Sequence, residues 1–194
     1  MVPSFITLFP APEEVFANRV DQHAEHFDPL FSIDLQVLNA RWTGKLHMLG
    51  WFPGNTKEAM NAYTDDGLIN DHTVAFDIID GKYSFRSDLG TYFRITEDHQ
   101  QFRQKEKEAF RNLRTYFRKN GHPDPNTNML SRIFEQVGGK PGWIQMQEVV
   151  HDSKGRKMKF ISRAYSGYYG LGIGDMYLFY GNAEQVAVIL FQTT

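Results

Sequence analysis

The chain has 194 residues, 41% of them hydrophobic, no cysteine and a formal net charge of −2. That length suits one domain able to remove roughly 70% of its unfolded surface from water without a covalent staple, and the missing cysteine excludes disulfides, thiolate catalysis and Cys-based metal or cluster sites. The small net charge hides a polarity, because residues 1–98 carry 15 acidic and 7 basic side chains whereas residues 99–194 carry 8 and 14, and such fields steer charged partners.

The first residues lack a basic start and meet Pro10 and Pro12 too soon for a secretory signal, and the longest strongly apolar run, residues 186–191, is far short of a membrane span. The expected location is the cytoplasm, with no membrane partner. Residues 4–9 read as a short apolar strand. Pro12 suits the first helical position and Glu13 and Glu14 the positive helix end; Phe16, Val20, His23 with Ala24, and Phe27 then recur at helical spacing. One amphipathic helix is expected there, ended by Asp28-Pro29. Phe31, Ile33, Leu35 and Val37 alternate with Ser32, Asp34 and Gln36, which predicts a half-buried strand. Residues 46–52 give a second strand, with Gly50 suited to a bulge. Thr56 caps a short helix through residue 63, and Asp65-Asp66-Gly67 is a polar turn. Residues 72–79 and 82–86 flank Asp80-Gly81, a hairpin signal because both central positions of a type I′ turn need positive φ. Residues 92–95 are expected to add a strand.

Thr96 caps the longest helix, residues 97–120, with acids in its first turn, Arg118 and Lys119 in its last, and Gly121 as its stop. Phe102, Ala109, Phe110, Leu113, Tyr116 and Phe117 form its apolar stripe. A shorter helix follows at 127–136. Strands at 143–150 and 157–164 bracket the polar reversal 152–156, the second with a basic outer face. A last hairpin, 175–180 with 185–192, turns at Gly181-Asn182, and residues 186–191 are apolar on both faces, so they belong centrally under a helix. With no repeat, low-complexity tract or linker, the expectation is a single α+β domain: mostly antiparallel sheet with hairpins and a long amphipathic helix packed on it.

Gly138-Gly139-Lys140-Pro141-Gly142-Trp143-Ile144-Gln145 is the sharpest local signal. Its glycines and fixed-φ proline force a tight reversal with Trp143 at the mouth, which reads as a structural corner anchored by tryptophan. Met158-Lys159-Phe160-Ile161 and Gly174-Asp175-Met176-Tyr177-Leu178-Phe179-Tyr180 follow it. The order and spacing of these three blocks, over about residues 137–191, resemble the YwqG-like family of bacterial proteins. The matching positions are Gly138, Gly139, Pro141, Trp143, Ile144, Gln145, Met158, Phe160, Gly174, Asp175, Tyr177 and Phe179. The resemblance implies an α+β sheet protein of a kind whose members often look like accessory or toxin-neutralising partners, and it supplies no catalytic residue.

His23 and His26 sit among Asp21, Glu25 and Asp28, but no third ligand or HExxH pattern accompanies them, so a solvated helix end is expected and no metal. Glu148, His151 and Asp152 read as a turn. Gly170-Leu171-Gly172-Ile173-Gly174 precedes a strand and offers no helix N-terminus to a phosphate; with Tyr165, Tyr168 and Tyr169 before it, it reads as a flexible aromatic loop suited to a partner. Arg111, Arg114, Arg118, Lys119 and Arg132 share their surroundings with acids at a pI near 6.4, which argues against nucleic acid. No catalytic set and no cofactor motif appears.

The leading expectation is a non-enzymatic protein-binding domain, an immunity protein that neutralises a cognate bacterial toxin. Asp65, Asp66, Asp71 and Asp88 with Tyr165, Tyr168 and Tyr169 would form the contact. The alternative is a small-ligand binder or enzyme with a pocket between the 138–145 corner and the 170–175 loop, where Asp175, Gln145 and His122 or His151 converge.

Overall fold

The computed structural model describes residues 2–193, and the α+β expectation holds. A small antiparallel sheet has the order β1 (Ile6–Leu8), β2 (Phe27–Asp34), β3 (Lys45–Trp51). A larger one, also antiparallel, comprises β4 (Thr73–Ile79), β5 (Lys82–Phe85), β6 (Gln136–Val137), β7 (Lys159–Tyr165), β8 (Asp175–Gly181) and β9 (Val186–Gln192), in the order β5-β4-β9-β8-β7-β6. The helices are α1 (Pro12–Val15), α2 (Val20–His26), α3 (Leu89–Tyr92) and α4 (Glu97–Asn120). Strand β3 packs across β8 and β9, and side chains of both sheets join one apolar cluster. The element covering central β9 is therefore a strand, where a helix was expected. Strand β2 is buried along nearly its whole length, not on one face: even Ser32 is enclosed, its hydroxyl 2.7 Å from His47 Nδ1 on β3. Pro29 is tolerated within β2 because it lies beyond the stretch paired to β1 and beside a register shift.

Helix α4 has the predicted bounds, with Gly121 at φ 74° as its left-handed stop. The Thr96 side chain does not cap the first-turn amides, which its carbonyl accepts instead; its hydroxyl lies 3.0 Å from His99 Nδ1. Phe110 and Phe117 pack edge-on against Phe9, whose ring also meets Tyr169. Asp80 and Gly81 both take positive φ in the β4–β5 turn, and β8 and β9 pair as expected.

Four expected elements form differently. The helix starting at Pro12 is broken: Arg19 sits at φ 42°, Phe16 bridges to Tyr83, and Phe27 already belongs to β2, because burying both phenylalanines against the sheets outweighs helical continuity. Residues 92–95 end α3 instead of adding a strand, with Tyr92 buried and its hydroxyl donating to Asn70 O. The expected helix at 127–136 does not form: residues 127–135 are turns and bends and Gln136 already opens β6. Asp124 accepts from Asn126 N, Thr127 bonds Asp124 O, and such local bonds compete with helix formation. Residues 143–150 make no ladder. They cross the ends of β8 and β9, where Ile144 N donates to the Tyr177 hydroxyl and Gln145 N to Gln192 Oε1. In β7 a register shift between Phe160 and Ser162 turns Ile161 inward, so the expected basic face is interrupted there.

Candidate functional site

The corner at 138–142 is structural. Gly138 and Gly139 take φ of 67° and 78°, and a Cβ on Gly138 would lie 2.8 Å from Leu38 Cδ2. The Gln136 carboxamide organises the loop, donating to Gly138 O and Lys140 O and accepting from Gly142 N. Arg163 donates to Gly142 O from one side and the Tyr177 hydroxyl donates to it from the other. Trp143 stacks on Tyr177 with ring centroids 4.7 Å apart and is half-buried against the core.

Larger and differently placed is a cleft of about 1000 Å³. Its walls are the chain leaving β3 (residues 51–56), the first three turns of α4, the loop 171–173, the segment 145–148, and the end of β9. Gly50 and Gly172 make it possible. A Cβ on Gly50 would sit 2.2 Å from Leu171 Cδ1, and Gly172, at φ 58°, would bring one to 3.3 Å from Glu106 Oε1. A side chain at Gly50 would force Leu171 to shift, and the left-handed φ of Gly172 favours glycine. Seven large hydrophobic side chains are exposed among the described residues; Met60, Phe102, Met146 and Ile173, at 60, 48, 83 and 65% exposure, all line this one cleft. Apolar side chains gathered in this way mark contact surfaces, whereas scattered ones need no explanation.

Glu106 forms part of the inner lining. It lies on the apolar stripe of α4, one turn from Phe102 and one from Phe110, and is nine-tenths buried. No protein donor hydrogen-bonds its carboxyl among the described residues. Arg103 Nη1 stands 3.8 Å away, while Nη2 of the same guanidinium donates to Asp28 Oδ2 and His26 O, each at 2.9 Å. Burial pushes the Glu106 carboxyl up to about 7 against the opposing pull of Arg103, with Asp28 adding to the rise. A carboxyl raised above its unfolded value contributes stability below about pH 4.5 that is lost as pH rises through 7. Glu106→Gln is therefore expected to be about 1–3 kcal/mol more stable than the parent at pH 8 and nearly equal to it at pH 4. Urea titrations at the two pH values test this; equal stability at pH 8 would show the anion to be well solvated.

The polar groups expected to converge do not. Gln145 lines the cleft and its side chain donates to Thr193 O. Asp175 is buried in β8 against Arg163, His122 borders a separate hollow, and exposed His151 pairs with Lys157. The histidines of the cleft are His72 and His99. The corner borders its own hollow of about 360 Å³. His23 is enclosed, with Nδ1 3.0 Å from Arg19 O and Nε2 accepting from Phe85 N, and His26 stacks on Phe93 at 4.3 Å. The solvated helix end expected for the pair is thus corrected for His23. No group of three or more His, Asp or Glu side chains able to hold a metal occurs among the described residues.

Of the tyrosines assigned to a contact loop, Tyr169 is fully buried, with its hydroxyl donating to Ile133 O, so it offers no surface. Tyr168 donates to Glu135 Oε1, and Tyr165 packs edge-on against it. Asp65, Asp66, Asp71 and Asp88 are exposed. Asp66 anchors its turn by accepting from Leu68 N and Thr64 Oγ1, and Asp88 accepts from Thr91 N at the start of α3. Asp71 alone of the four borders the cleft. Compared with protein-family models, with curated proteins and with solved structures, the chain matches none of them.

Proposed function

We propose that the chain is a non-enzymatic protein-binding domain whose docking site is the cleft beside α4, and that it acts by neutralising a cognate bacterial toxin. The observation that carries the binding reading is the concentration of four exposed apolar side chains on one cleft. The toxin rests on less: the resemblance of residues 137–191 to the YwqG-like family and the acidic bias of the amino-terminal half. No described helix is long and apolar enough to cross a membrane, which is compatible with a partner met in the cytoplasm. The test begins with a partner recovered by co-purification from the native cell. Replacing Phe102 and Ile173 together by serine is expected to weaken that complex by more than about tenfold with the fold intact, because both side chains already face solvent. Asp71→Lys, at the border of the cleft, should change mainly the association rate, as rim charges do. Retained affinity in the double serine variant would move the interface away from the cleft.

A second reading, a small-ligand binder or enzyme, has one observation in its favour. The cleft is as large as small-molecule sites become, and it holds a carboxyl titrating near neutrality. A small molecule retained in native mass spectrometry of the freshly purified protein would favour it over the first.

A further inference from the structure

Resting on the reading of the cleft as a docking site, we propose that its occupant is a partner's peptide segment in which apolar residues flank a lysine or arginine, the cationic end meeting Glu106. The charges of the lining point to this chemistry. Asp71, Glu106 and Glu148 line the cleft, and no lysine or arginine does so among the described residues. Two of the three carboxylates already have a neighbour: Asp71 Oδ1 is 2.7 Å from His72 Nδ1, and Glu148 accepts from Gln192 Nε2. Glu106 has only the distant face of Arg103, whose hydrogen bonds go to β2 and the end of α2. A buried carboxylate without a donor is costly, and a cation arriving with its own donors removes that cost. An anionic ligand would meet three acids and, apart from His72 and His99, no basic side chain of the lining.

The apolar part follows from the rim. Met60, Phe102, Met146 and Ile173 surround the entrance, and methionine side chains repack around varied apolar partners at small cost. A basic residue held between apolar neighbours would place hydrocarbon on this rim and its charge inside. The groups facing Glu106 are Arg103 on α4 and Asp28 on β2, and the loop carrying Gly172 brings no charge to it. Because Glu106 holds a proton up to about pH 7 in the free protein, an entering cation must displace that proton, so affinity should rise between pH 6 and pH 8.

Three fluorescent synthetic peptides test the inference by anisotropy: one alternating leucine with lysine, one leucine with glutamate, one serine with lysine. The leucine–lysine peptide is expected to bind tightest and to gain affinity from pH 6 to pH 8. Glu106→Gln, a variant expected to fold at least as well as the parent, should weaken it about tenfold at pH 8 and flatten the pH dependence. A leucine–glutamate peptide that binds equally well would overturn the cationic occupant while leaving the cleft a docking site. Unchanged leucine–lysine affinity in Glu106→Gln would do the same. If neither leucine peptide binds, or if the serine–lysine peptide matches the leucine–lysine one, both the occupant and the docking reading fall.

Discussion

Lowering the pH from 7 to 4 is expected to remove about 2–4 kcal/mol of folding stability, a large share of what a domain of this size has. Three histidines drive it. His47 is buried between the sheets, with Nδ1 2.7 Å from Ser32 Oγ and its ring edge-on to Tyr83, and burial holds it down at about 4. His26, stacked on Phe93, is lowered to about 4 by the same cause, and His23 is lowered as well. The unfolded chain protonates His47 and His26 near the ordinary value of 6.5 and the folded chain only near 4, with His23 shifted in the same direction, so stability falls through that window as pH drops. Two fully expressed shifts would cost about 5–6 kcal/mol. Glu106 works in the opposite direction and returns about 1–3 kcal/mol over the same interval, since its raised carboxyl is stabilising once protonated. Denaturant titrations at pH 7, 5.5 and 4 on the parent and on Glu106→Gln separate the two contributions. The variant should lose more on acidification than the parent, about 4–6 kcal/mol, because it lacks the compensating group. A parent equally stable at pH 4 and pH 7 would mean that the histidines are charged within the fold.

How much of this was legible depended on whether local chemistry or tertiary burial decided each segment. Asp80-Gly81 needs positive φ whatever surrounds it, and α4 carries acids, bases and a glycine stop in the order its dipole favours, so both could be read directly. The segment 12–27 could not, because its helical spacing of Phe16 and Phe27 serves two strand contacts on either side of a left-handed Arg19. Residues 143–150 look like a strand by composition, but their partners are side chains of Tyr177 and Gln192, which no periodicity reveals. The cleft was hidden for a related reason: its walls come from several separated segments. One signal was present and missed. Glu106 stands four residues from both Phe102 and Phe110 on the stripe expected to be apolar, and a carboxyl in that register is a buried charge in need of a reason.

Asp175→Ala is expected to destabilise the chain by about 3–5 kcal/mol, the usual result of leaving one member of a buried ion pair alone. Asp175 opens β8, buried between Tyr165 on β7 and Gln192 on β9. Arg163 Nε lies 2.9 Å from its Oδ1 without hydrogen-bond alignment, so the attraction is mainly coulombic. Burial raises the Asp175 carboxyl and Arg163 holds it down. The same guanidinium reaches Gly142 O, so the pair links the strand to the 138–142 corner and, through Tyr177, to Trp143. Losing the carboxylate should therefore loosen the corner as well as the sheet, seen as a change in tryptophan emission before global unfolding. Replacing both partners, Arg163→Met with Asp175→Leu, removes the stranded charge and should cost only about 1–2 kcal/mol. A double variant as unstable as the sum of the two single ones would show that the pair is uncoupled and that Arg163 acts through Gly142 alone. Because Asp175 does not line the cleft, the folded fraction of Asp175→Ala should bind the leucine–lysine peptide as the parent does, which separates damage to the corner from damage to the docking site.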